Sequence, residues 1–220
     1  MMSPRLIRSL ASAAVLALVA ACGGASGSSK KIAFKYTEMR AKLDNGLKMV
    51  IIPDKTSQMV QVDIRYMVGS NQDPEGKAGL AHFVEHMMFQ WSGPSFWGKD
   101  PNGKPIDGPA LFNVLPQIAV GYNAYTNWDT THYYLQGTKE DLPKLLDLEA
   151  RRMRSAIAAA KDKCTESLLG VPRTQFDREL EVVRNEIRWR SGNTDGQVYQ
   201  MVMDLAFPKG HPYHQMIGGN

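Results

Sequence analysis

The box His82-Phe-Val-Glu85-His86 constrains this 220-residue chain more than any other feature. A helix advances about 100° per residue, so helical His82 and His86 fall about 40° apart on one face, with Glu85 beside them. Leu80, Ala81, Phe83, Val84, Met87, Met88 and Phe89 surround the three, an all-round apolar pattern that predicts a buried helix. Ionisable groups are costly in such a place unless they are paired or bind a metal. Two imidazoles and a carboxylate are therefore expected to converge on a metal ion. A hydrogen-bonded pair of core histidines is the plainer alternative. At this composition the box arises by chance in about one such chain in two hundred, which favours the metal.

The N-terminal end reads as an export signal. Arg5 and Arg8 precede the apolar run Leu10 to Val19, and small residues lead to Cys22. The run is shorter than the roughly 20 residues a membrane-spanning helix needs. Val19-Ala20-Ala21-Cys22 resembles a bacterial lipobox, which implies a signal peptide over residues 1–21 and lipidation of Cys22. Residues 22–35, rich in Gly, Ala and Ser, then form a lipid-anchored leash. An ordinary secreted protein cleaved near Ala21 is the alternative. By the sorting rules the resemblance brings, Gly23 suggests an outer-membrane lipoprotein on the periplasmic side.

Only Cys22 and Cys164 are present, so no disulfide framework is expected. The net charge is +4, and removing residues 1–21 with their two arginines lowers it to +2. That balance gives no argument for a nucleic-acid partner. Residues 36–220 suffice for one domain with a sizeable core. The turn-rich end, His211 to Asn220, suggests a fragment truncated at its C-terminal end.

Periodicity supplies the elements. Asp44-Asn-Gly46 before the run Leu47 to Ile52 predicts a hairpin. Val60, Val62, Ile64 and Tyr66 alternate with polar residues, as in a half-buried strand. Residues 69–76 read as a loop, and residues 90–109, rich in Gly, Pro and Trp, as a surface excursion. A short helix over 110–118 and strands over 121–125 and 130–135 follow. Residues 141–160 form a patterned helix, with Asp141 as N-cap and Asp147, Glu149, Arg151 and Arg152 at its polar positions. Residues 161–172 read as a second loop and 173–190 as another helix. The sum is an α+β fold, a mixed and mostly antiparallel sheet with helices packed on one face.

A zinc site needs at least one more protein ligand, and the helix over 173–190 offers two candidates. Glu179 and Glu186 lie about 20° apart on one face, inside an arc formed by Phe176, Leu180, Val182, Val183, Ile187 and Trp189. A carboxylate facing a core requires a cation or hydrogen bonds to stay ionised. Arg190 is a local alternative partner for Glu186, and Cys164 is a rival ligand from the loop.

Three ordered segments, Gly79 to Phe89, Asn123-Ala-Tyr-Thr126 and Glu179 to Glu186, together resemble the pitrilysin/insulinase family of inverted-motif zinc peptidases, which includes mitochondrial processing peptidase. The resemblance implies that His82, His86 and Glu186 bind one Zn²⁺ per chain. It implies that Glu85 is the general base, that Glu179 is a supporting carboxylate, and that Asn123 and Ala124 lie on an edge strand receiving an extended peptide. The fold implied is that family's N-terminal domain, and the activity is endopeptidase cleavage of peptides or unfolded segments. The spacing of 100 positions from His86 to Glu186 exceeds what the resemblance implies, the excess lying in the two loops.

Family members also pair two homologous halves, so a second domain or subunit is an expected partner. The alternative is a catalytically silent half that binds peptide or joins an active partner. S-ribosylhomocysteine lyase shares the box but takes a cysteine as its third ligand, and the export signal and the placement of Glu186 argue against it.

Overall fold

A computed structural model describes residues 37–92, 94–104, 106, 108–161, 171, 173–214 and 217–218. The expected signal peptide and leash, with Cys22 and Cys164, lie outside them. The chain forms two compact units that divide after Asp54. In the first, β1 (Met39–Lys42) and β2 (Lys48–Ile51) pair antiparallel as the predicted hairpin. Gly46 at the turn has φ 90°, a conformation that glycine adopts without steric cost.

The second unit holds a three-stranded antiparallel sheet in the order β3-β5-β4, from β3 (Met59–Tyr66), β4 (Gly121–Thr126) and β5 (Thr131–Thr138). Registration places Val62 opposite Leu135, Ile64 opposite Tyr133, and Ala124 on the other side of Tyr133. These residues make one apolar face, as the alternation in β3 predicts. Helices α1 (Leu80–Met87) and α4 (Leu142–Lys161) both reach Tyr133 on that face. Two long helices, α5 (Arg173–Gly192) and α6 (Thr194–Ala206), follow. The α+β architecture is the expected one, with every described pairing antiparallel.

The sequence contains no Ser, Thr, Asp or Asn directly before α1, yet the helix is capped. Asp73, on the preceding loop, accepts the Gly79 amide with Oδ2 at 2.7 Å and the Ala81 amide with Oδ1 at 2.8 Å. Two of the amides that a helix start leaves unpaired are thus satisfied by one carboxylate. That loop is itself docked on the β4–β5 turn, through Ser70 N to Asn127 O at 3.0 Å and Asn71 N to Trp128 O at 2.8 Å. A Cβ at Gly69 would stand 2.2 Å from Asn127 O, so only glycine permits the approach.

Four sequence expectations need correction. Residues 90–109 are no mere surface excursion, because Trp91 and Phe96 are buried in the core and α2 (Pro94–Trp97) lies within the stretch. Gly and Pro hid the apolar payload from a periodicity reading. In α4, Leu145, Leu148, Glu149 and Arg152 share the buried stripe, whereas Leu146 is half exposed. Glu149 and Arg152 enter the core because they pair at 3.5 Å and the guanidinium sits between Phe89 and Tyr133, 4.9 and 4.6 Å from their ring centroids.

Asp141 ends a 3₁₀ turn (Lys139–Asp141), where its carboxylate accepts bonds from Thr138 Oγ1 at 2.7 Å and Lys144 Nζ at 3.2 Å. In α5, Val182 and Trp189 are exposed, because helical angle gives a direction and not a neighbour. Helix α3 (Leu111–Ile118) forms as expected, and α6 was not foreseen. Among the described residues no helix is long and apolar enough to cross a membrane.

Candidate metal centre and cavity

Helix α1 presents His82 and His86 with rings perpendicular and centroids 4.9 Å apart. Helix α5 packs beside it, with Phe176 edge-on to Phe83 at 5.0 Å and Val183 buried. That packing brings Glu186 to the imidazoles. Its Oε2 stands 3.1 Å from His86 Nε2 and 3.7 Å from His82 Nε2. The other oxygen, Oε1, is paired with Arg190. The local partner and the facing imidazoles therefore coexist, one on each carboxylate oxygen.

One donor atom from each of His82, His86 and Glu186 lies within 4.8 Å of the other two. Tetrahedral zinc with arms of about 2.1 Å has donor–donor edges of about 3.4 Å, and the 3.1 and 3.7 Å separations bracket that value. Two nitrogens and a carboxylate oxygen are also a donor set zinc accepts, so the residues fit the ion.

Electrostatics agree with the geometry. Burial, assisted by the neighbouring His86, lowers the His82 pKa to about 4, leaving the ring neutral and able to coordinate. Burial also pulls His86 down, but its hydrogen bond to Glu186 and the surrounding carboxylates outweigh burial, so its pKa is raised. Glu186 falls to about 2, chiefly through the His86 hydrogen bond, with Arg190 assisting against its own partial burial.

The remaining carboxylates take distinct places. Glu85 is buried on α1, and its Oε2 accepts the Thr126 hydroxyl at 2.6 Å. Desolvation raises its pKa, and the Thr126 bond moderates the rise. Glu179 is buried one helical stretch before Glu186, with Oε2 3.6 Å from His86 Nδ1 and Oε1 3.7 Å from Arg178 Nε. It thus stands behind the ring that Glu186 faces.

A cavity of about 830 Å³ runs from these groups along β4, bordered by Asn123, Ala124 and Thr126 on one side and Glu179 and Arg190 on the other. Among the described strands β4 pairs only with β5, so Asn123 and Ala124 lie on a sheet edge as expected. The side chain of Asn123 accepts the Ala124 amide at 2.9 Å. Phe89 and Tyr122, with ring centroids 6.5 Å apart, give the cavity an aromatic wall. Thr126 and Asp73 were missed as site-building residues. Thr126 lies inside the quoted Asn123 to Thr126 segment, but an Asp seven positions before a helix has no fixed spacing that marks it.

Fold and site together define a metallopeptidase-type domain. Residues 48–191 match the family described as insulinase (peptidase family M16). That span is more than half of the chain, and the chain belongs to this family. It is 29% identical over 174 residues to the zinc protease PqqE of Helicobacter pylori, covering 78% of this chain and 34% of that protein. The crystal structure of a protease from Helicobacter pylori superposes with a TM-score of 0.65 at 28% identity, over 85% of this chain and 39% of that one. Pitrilysin shares the fold, with a TM-score of 0.61 at 21% identity over 85% of this chain and 17% of its own. The chain thus spans about a third of the length of its Helicobacter relative.

Proposed function

We propose that this chain carries the zinc-binding portion of an endopeptidase that hydrolyses extended peptides or unfolded protein segments in the cell envelope. The observation that carries the reading is the meeting of His82, His86 and Glu186 beside Glu85, in a cavity bordered by the edge strand of the described sheet. Here His82, His86 and Glu186 hold one zinc ion per chain, and three protein ligands leave a fourth position open, as catalytic sites do. Bound zinc supplies Lewis acidity, lowering the pKa of water towards about 7 and polarising a carbonyl.

Glu85 takes a proton from the attacking water and delivers it to the leaving amine. Its burial favours the protonated form, which suits a group that must hold the proton between those two steps. Thr126 fixes one of its oxygens, and Glu179 supports His86 from behind. Asn123 and Ala124 hold the peptide as an added strand, with backbone bonds giving affinity and side-chain pockets selection. The test is zinc content together with cleavage of an unstructured peptide. The parent should bind one zinc and Glu186→Gln should lose it; a parent chain that binds none sinks the reading.

A second reading is a catalytically silent half that binds peptide along the β4 edge of the cavity or joins a partner subunit. Zinc binding without cleavage, with cleavage appearing when a homologous second half is added, would select it. For location we propose residues 1–21 as a signal peptide and Cys22 as the lipid anchor, on the strength of the charged, apolar and small-residue order. Incorporation of labelled fatty acid that Cys22→Ala abolishes is the expected result; labelling that persists in the variant contradicts it.

A further inference from the structure

Glu186 divides its two oxygens between different partners: Oε2 faces both imidazoles, and Oε1 is held by Nη2 of Arg190, one helical turn further along α5. We propose that Arg190 is a positioning residue for the metal centre, clamping Oε1 so that Glu186 presents a single pre-aimed oxygen to the ion. The inference rests on reading His82, His86 and Glu186 as zinc ligands.

The clamp answers a mechanical problem. The His82 side chain is 3% exposed and enclosed by its neighbours, whereas that of Glu186 is 26% exposed and less confined by packing. A glutamate loses rotamer freedom when it ligates, and an anchor on its second oxygen removes that freedom beforehand. Outer partners of metal ligands act in this way, setting orientation through the atom that does not touch the metal. The Arg190 side chain is itself 49% exposed, so water screens its charge from a divalent cation a carboxylate away.

The three carboxylates on the cavity each have a separate partner beyond the imidazoles: the Thr126 hydroxyl bonds Glu85, Arg178 forms a 3.7 Å ion pair with Glu179, and Arg190 pairs with Glu186. Removing Arg190 therefore leaves the partners of the other two in place. The bland account is an i, i+4 surface pair, which adds a little helix stability and has no bearing on metal.

The experiment measures the zinc dissociation constant by chelator competition for the parent, Arg190→Ala, Arg190→Lys and Glu186→Gln, with thermal unfolding of each metal-free chain. Arg190→Ala should weaken zinc about 10–100-fold, as loss of an outer partner does. Arg190→Lys should restore most of the affinity, and the metal-free chains should unfold together. Parent-like zinc affinity in Arg190→Ala overturns the inference, as does a loss that lysine fails to rescue and that follows the metal-free unfolding temperature down. If the parent holds zinc, Glu186→Gln does not and Arg190→Ala does, only the clamp falls. If the parent holds none, the metal reading falls and the clamp with it.

Discussion

Thr126 on the edge strand donates its hydroxyl to Oε2 of Glu85 on the histidine helix at 2.6 Å, joining the surface that borders the cavity to the carboxylate proposed as base. Both groups are buried, so the bond operates in a medium where hydrogen bonds to charge are strong. It lowers the Glu85 pKa against the larger upward pull of desolvation. Thr126→Val keeps the shape and removes the donor, so Glu85 should hold its proton to higher pH. The acid limb of the kcat/KM profile should move upward, and an unmoved limb would separate Thr126 from the base.

Glu85→Gln should retain zinc at the parent's affinity and reduce peptide hydrolysis by about 10²–10⁴, the range typical for a lost general base. Metal content by elemental analysis and cleavage of a quenched fluorescent peptide read the two effects independently. Parent-like turnover in the variant would remove Glu85 from the mechanism.

In the metal-free chain the His86 pKa lies above its ordinary 6.5. A raised pKa means that this ring's contribution to stability is present below pH 6.5 and is lost as pH rises through the folded-state value. Zinc follows the opposite course, because it needs the neutral ring and displaces the proton. Its affinity should therefore climb across about pH 6–8, the range where histidine changes charge, with release of a proton measurable by calorimetry in buffers of different ionisation enthalpy. A pH-independent affinity contradicts the His86–Glu186 geometry. Glu186 behaves oppositely to His86, its contribution being present above pH 4.5 and lost as pH falls towards about 2.

Asp73→Ala removes the acceptor for two amides of α1 and should cost about 1–2 kcal/mol of stability, with Asp73→Asn, which keeps one oxygen, costing less. Denaturant unfolding of the metal-free chain gives the comparison. Equal losses for the two variants would mean that the negative charge, not the acceptor geometry, carries the effect.

Glu149 and Arg152 form a buried pair in which removal of one member strands the other. Arg152→Met alone should cost about 3–5 kcal/mol, and Glu149→Leu with Arg152→Met together should recover much of it. A double-mutant cycle that proves additive would show the two charges to be independent.

The sequence was most legible where periodicity and charge conflicted. His82, His86, Glu179 and Glu186 stood out because ionisable groups fell inside apolar arcs, and all four meet at one place. The hairpin and β3 were legible from alternation and an Asn-Gly turn. Glu149 and Arg152 obey the same rule of conflict, on the stripe of Leu145 and Leu148, but in a helix rich in charge residue type alone assigns them to the polar face. Trp91 and Phe96 escaped because a stretch without a period gives no face to assign. The Thr126–Glu85 bond spans 41 positions, and the Asp73 cap reaches amides six and eight positions on only because the loop between them folds back, a placement that no fixed local spacing encodes.

As the proposed docking strand, the edge strand β4 of the described sheet sets a condition on shape before any chemistry begins. Its six residues match about 20 Å of straightened guest backbone, at about 3.3 Å per residue, and a helix, whose backbone groups are already paired internally, cannot add to such an edge. A compact globular protein would be spared until some part of it frayed. Under the proposed function, selectivity would begin with the local unravelling of the target, and side-chain preferences would refine a choice that thermal fluctuation had already made.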